Sequence, residues 1–163
     1  MAIPAFSAAH IICDVSKWTL THLRIQKLLY LSHLHYLGEV GEPLIEEEFE
    51  AWECGPIVPA LYNKIRTFYD RPVRNVWGAL TQDESKEVQF LTRKAPELLN
   101  LTLWDLVLAN HLKGGAWERH YNQPGELIKI PNKDILVEYN LFYRDLTQEN
   151  QNDSLKKRDI SAL

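Results

Sequence analysis

The chain has only two cysteines, Cys13 and Cys54, and only seven glycines among its 163 residues. Two thiols make neither a disulfide framework nor a four-ligand metal set, and they point to a reducing compartment, the cytoplasm. Gly114 and Gly115 are the one adjacent glycine pair, so no glycine-rich loop exists to cradle a phosphate. No run of about 18 apolar residues occurs, and no membrane span is expected. The opening MAIPAFSAAH lacks the basic start and long apolar core of a secretory leader. Histidines at metal-binding spacing are missing too. His33 and His35 would sit about 200° apart on a helix, and His111 and His120 straddle two glycines. Neither a metal nor a cofactor is expected. The formal net charge of −4 argues against a non-specific nucleic-acid binder, which shows a basic stripe, while leaving room for a small basic patch.

What is present centres on Thr19–Arg66. Its first part reads as one helix, with Thr19 or Thr21 as N-cap and Gly38 as a left-handed stop. Leu20, Leu23, Leu31 and Leu34 fall on one stripe; Ile25, Leu29 and Tyr36 fall on another, roughly opposite. A helix apolar on two faces lies among other elements rather than on the surface. Lys27 sits in the middle of the leucine stripe, where an ammonium must snorkel out or find a carboxylate. Residues 39–53, with seven glutamates and no lysine or arginine, are the nearest supply. Glu50, two residues before Trp52, is the first choice of partner, and Glu53 the second.

Around this hub, the spacing predicts a short first helix over residues 5–16, with Trp18 packing where it meets the hub. Phe49–Trp52 reads as a strand, Gly55-Pro56 as a tight bend, and Pro59 as the first turn of a helix. Residues 70–80 read as a loop. Thr81 and Glu84 form a capping-box pattern for a helix that ends by Pro96. Thr102 and Asp105 cap a buried helix, 103–112, that stops at Gly114-Gly115. Ala116–Tyr121 reads as a turn or a single helical turn and Leu127–Ile130 as a short strand. Asn132 caps a last helix with Ile135, Tyr139, Phe142 and Leu146 on one side. The expected fold is mainly α. It is a single compact multi-helix domain, residues 1–147, around a central buried helix, with a minor two-stranded β element pairing 49–52 with 127–130. Residues 148–163 are polar and read as a flexible tail.

For chemistry, Cys54 with a histidine would suit a hydrolase, but nothing in the spacing brings an imidazole to the thiol. Glu46, Glu47 and Glu48 read either as a solvated edge or as a partner-facing acidic patch.

The order Leu20-Thr21, Gln26-Lys27-Leu28-Leu29-Tyr30, Gly41-Glu42-Pro43-Leu44, Glu50-Ala51-Trp52, Gly55-Pro56-Ile57-Val58-Pro59 and Tyr62 resembles the Panacea domain, also described as SocA-like. Gly115-Ala116-Trp117 and Tyr121 extend the likeness, which spans about residues 5–147. The chain departs from the family habit at Arg24, Ile25, Cys54 and Ile57. The resemblance implies a non-enzymatic antitoxin of a bacterial or phage toxin–antitoxin system. Such a protein would neutralise a cognate protein toxin by contact, or act as an adaptor that delivers the toxin to an ATP-dependent protease. Lys27, Tyr30, Glu50, Trp52, Gly55, Pro56, Pro59 and Trp117 are then structural signature residues, and no catalytic residue is implied.

Overall fold

The computed structural model describes residues 1–74, 84–121 and 128–149. Helix α1 (Ala5–Val15) buries Ala5, Ala8, Ala9, Ile12 and Cys13. Lys17 and Trp18 then take left-handed backbone conformations, φ 56° and 58°. Together they reverse the chain into the hub. Trp18 is held there by its indole N–H on Asp14 Oδ1 (2.9 Å) and packs beside the core.

The hub, α2 (His22–Val40), begins after Thr21 and is buried without interruption from Ile25 to Leu37. Both apolar stripes are therefore covered, as a central helix requires. Its end differs from expectation. Gly38 stays helical, and its lack of a side chain lets the ring of Tyr139 lie directly against it: a Cβ there would sit 2.1 Å from Tyr139 Cδ1. Gly41, at φ 82°, makes the left-handed stop, with its N–H on the Leu37 carbonyl.

β1 (Phe49–Trp52) pairs with β3 (Lys129–Ile130), Phe49 opposite Ile130, as the sequence suggests. The bend at Gly55-Pro56 is more than a bend. Gly55–Ile57 returns as β2, so the sheet has three antiparallel strands in the order β2-β1-β3. A proline is tolerated in β2 because that strand is an edge.

Pro59 opens α3 (Pro59–Ile65), and a 3-10 turn (Arg66–Phe68) follows. Thr81 lies outside the described residues. The next helix, α4 (Lys86–Leu99), is capped instead by Ser85, whose hydroxyl accepts the Val88 N–H. It also runs through Pro96 rather than ending there. The carbonyl that loses its donor belongs to Thr92, and both residues are exposed, so water can replace the missing bond.

Thr102 and Asp105 form the expected capping box of α5 (Leu103–Asn110). That helix is not buried, however. Only Leu106 and Asn110 are buried in it, whereas Leu103, Trp104 and Leu108 are 54%, 68% and 50% exposed. α6 (Ala116–Tyr121) follows. The last long helix is α7 (Asn132–Phe142), with Ile135 and Tyr139 buried but Phe142 and Leu146 exposed. The helix breaks at Tyr143 (φ −124°) before residues 144–149 resume, which changes the phase of the stripe. Pro131, not Asn132, occupies the cap position, and the Asn132 amide oxygen is taken by His33 Nε2 (2.9 Å). Residues 150–163, most of the expected tail, lie outside the described residues.

The molecule is thus mainly α, with a small sheet. α1, α4, α5, α7 and β2 all pack on the hub, α7 most extensively.

Candidate functional site

The signature side chains converge where the β1–β2 hairpin tip meets the hub. Gln26, fully buried, lays its amide along the backbone of Val58. Its Oε1 accepts the Val58 N–H (3.0 Å), and its Nε2 donates to the Val58 carbonyl (3.2 Å). This side chain completes the edge of β2 as a neighbouring strand would. Pro56 sits opposite Ala51 in the hairpin, and Pro59 starts α3 at once, so the clasp also sets where the helix leaves the sheet.

Lys27 is 5% exposed, as its place in the leucine stripe suggests. The expected ion pair is not what holds it. Its ammonium donates to the Cys54 carbonyl at 2.8 Å. Glu50 is engaged elsewhere, its Oε2 accepting the Trp52 indole N–H (2.8 Å), and Glu53 faces solvent. The reason lies in Gly55, whose φ of 112° puts the turn in a conformation that side chains avoid. A Cβ on Gly55 would come within 3.2 Å of His111 Cε1 and 3.3 Å of Lys27 Nζ. Burial lowers the Lys27 pKa from its ordinary value. The same cause lowers His111, where the Val107 and Glu53 carbonyls oppose and the Lys27 ammonium assists.

Trp117 closes the other side. Its indole N–H donates to the Trp52 carbonyl (2.7 Å), its edge meets His111 at 4.3 Å, and it stacks on Tyr121 at 4.7 Å. Trp52 in turn meets Tyr62 edge-on at 4.9 Å. Tyr30 packs edge-on against Phe49 of β1 (5.2 Å) and donates its hydroxyl to Glu138 Oε2 (2.7 Å), which also accepts the Ala116 N–H (2.8 Å). Glu138 thereby ties α7 to the hub and to the start of α6. Burial raises its carboxyl pKa, although both hydrogen bonds favour the carboxylate. Glu138 was not among the residues singled out from the sequence. A signal existed: it falls on the same face as Ile135 and Tyr139, an acid within an apolar stripe.

Cys54 is half-buried, and burial raises its thiol pKa, with Lys27 opposing. That is the wrong direction for a nucleophile. Among the described residues no cluster of three or more His, Cys, Asp or Glu side chains could hold a metal ion. None of the described helices is long and apolar enough to cross a membrane.

Glu46 and Glu48 are exposed, while Glu47 is half-buried and accepts the Ala5 N–H at the start of α1 (2.7 Å). Glu48 pairs with Lys129. With Glu50, Val58, Pro59 and Ala60, these residues line an open groove of about 440 Å³. Of the three glutamates, Glu47 therefore has a structural duty.

The hydrogen bonds of Gln26, Lys27, Tyr30 and Trp117 tie the hub to the hairpin and to α7, and α6 to the hairpin. Residues 25–118 match the family described as antitoxin SocA-like, Panacea domain, and the chain belongs to that family. It is 30% identical over 117 residues to the Antitoxin SocA of Caulobacter vibrioides (strain NA1000 / CB15N). That alignment covers 65% of this chain and 62% of the relative, so the chain spans less than two thirds of that protein's length. No solved structure matches. Lys27 to Trp117 lie within the matched family region, whereas Glu138 lies beyond it.

Proposed function

We propose that this protein is an antitoxin that neutralises a cognate protein toxin by direct, non-catalytic binding in the cytoplasm. Family membership over residues 25–118 is the observation that carries the reading. The geometry supports it in one respect: Gln26, Lys27, Tyr30 and Trp117 are used inside the fold. Toxin recognition is then the work of exposed side chains carried on that frame. The acidic groove beside the hairpin, with Glu46 and Glu48 exposed, is the proposed contact for a basic toxin surface, where opposite charge would speed encounter and fix register.

The test is co-expression with a neighbouring gene that is lethal alone. Growth rescue, together with isolation of a toxin–antitoxin complex, is the expected result. Rescue without a complex, lost when an ATP-dependent protease is deleted, would replace direct neutralisation by the adaptor mechanism. Glu46→Gln with Glu48→Gln should slow association and flatten its salt dependence; unchanged kinetics would remove the groove from the contact surface. Failure of any lethal neighbour to be rescued would overturn the antitoxin reading itself.

A further inference from the structure

The strap that runs from the end of α3 has a chemistry that toxin neutralisation leaves unused. Residues 64–74, KIRTFYDRPVR, carry four cations and one carboxylate in a chain of formal net charge −4. Ile65 and Val73, both fully buried, pin the strap at two points, and the Val73 N–H donates to the Leu20 carbonyl (2.8 Å). Between and beside those pins, Lys64, Arg66, Tyr69, Arg71 and Arg74 all face solvent. The Lys and Arg side chains that form ion pairs among the described residues are Lys86, Arg93, Lys94, Arg119 and Lys129. The four cations of the strap are not among them.

The apex is a tight turn in which the Arg71 N–H donates to the Phe68 carbonyl (3.0 Å). Tyr69 occupies its second position with φ 53° and ψ −122°, the type II′ geometry that ordinarily takes glycine. A side chain held there is strained, and such strain collects where a group must be presented. The presented group is an aromatic ring, and Tyr69 is 73% exposed.

We propose that this strap binds single-stranded nucleic acid, with Lys64, Arg66, Arg71 and Arg74 on phosphates and the Tyr69 ring as a stacking platform for a base. Guanidinium forks match phosphate oxygens, and any base offers a face to a flat, exposed ring. An acidic polypeptide would use the cations and leave the ring idle. A protein anchor would also need apolar neighbours, yet Ile65 and Val73 are buried and Phe68 half-buried.

The experiment is fluorescence anisotropy of the full chain with labelled single-stranded RNA and DNA of about 16 nucleotides, titrated between about 50 and 200 mM salt. Four phosphate contacts predict a log–log salt slope near −3, at roughly −0.7 each. The combined change Arg66→Gln, Arg71→Gln and Arg74→Gln should bring the slope to about −1 or flatter and weaken binding at least about tenfold. Tyr69→Ala should weaken binding about tenfold with the slope unchanged, whereas Tyr69→Phe should bind as wild type. All these positions are exposed, and unchanged thermal melting verifies that the variants fold. Wild-type binding no stronger than that of the triple variant overturns the proposal. So does indifference to Tyr69→Ala, or displacement by polyglutamate at equal charge, which would make the strap a contact for acidic protein. Toxin rescue by the same variants is read separately, so failure here leaves the antitoxin reading standing.

Discussion

Replacing Gln26 with leucine tests whether the hairpin is held by one side-chain amide. The change keeps the shape of a fully buried side chain and removes both bonds to Val58, at 3.0 and 3.2 Å. The Val58 carbonyl keeps the Tyr62 N–H (2.9 Å), so one buried group, the Val58 N–H, is left unpaired at a cost of about 1–3 kcal/mol. The added apolar burial returns about 1–2 kcal/mol, leaving a net loss of up to about 2 kcal/mol. In a domain of this size that lowers Tm by about 2–4 °C per kcal/mol. Urea unfolding should show the midpoint falling with an unchanged slope. Hydrogen exchange gives a local readout, because the Val58 amide should lose protection beyond the global change. Gln26→Glu should be worse at neutral pH, since a carboxylate cannot donate to the Val58 carbonyl, and should recover as acid protonates it. A Val58 amide as well protected in the leucine variant as in the wild type, once the global change is subtracted, would refute the clasp.

Three further outcomes follow from the packing and the buried titratable groups. Gly38→Ala should destabilise by about 1–3 kcal/mol through overpacking against the Tyr139 ring, despite a helix-propensity gain near 1 kcal/mol; thermal melts showing a gain would mean the ring moves aside freely. His33 is fully buried, with Nδ1 accepting the Ile45 N–H and Nε2 therefore donating to Asn132, and burial lowers its pKa from 6.5 to about 4. The unfolded chain takes up a proton that the fold refuses, so stability should fall by roughly 3 kcal/mol as pH drops from about 6.5 to 4, a slope absent in His33→Gln. Glu138 acts in the opposite sense: with its folded pKa raised, its contribution is full below the ordinary carboxyl value and is lost as pH rises through the raised one. Glu138→Gln should remove that loss and leave the His33 slope steeper, as read from denaturation across pH.

The hub and most helices were legible because two apolar stripes at helical spacing admit little but a central helix. Lys27 was legible as a buried ammonium for the same reason. Its acceptor was not, because the direction of the Cys54 carbonyl depends on a left-handed Gly55 that spacing alone does not reveal. The same reasoning applied to α7 would have flagged Glu138. α5 shows the converse limit. Leu103, Trp104 and Leu108 make its pattern apolar nearly all round, yet burial was the wrong conclusion, because composition does not say which face a neighbour covers. Pro96 misled for a local reason: the rule that proline ends a helix weakens when the abandoned carbonyl can reach water.

The uninterrupted burial of the hub also bears on how the protein is made. Its residues leave the ribosome before those of α7, and a helix covered on all sides has little to hold it in water by itself. The partner against which it packs most extensively, α7, emerges well after it, and Tyr30 waits for Glu138 across 108 positions. A nascent chain that stops short of α7 therefore offers no finished scaffold, and the surface proposed to bind a toxin becomes available only once synthesis has passed α7.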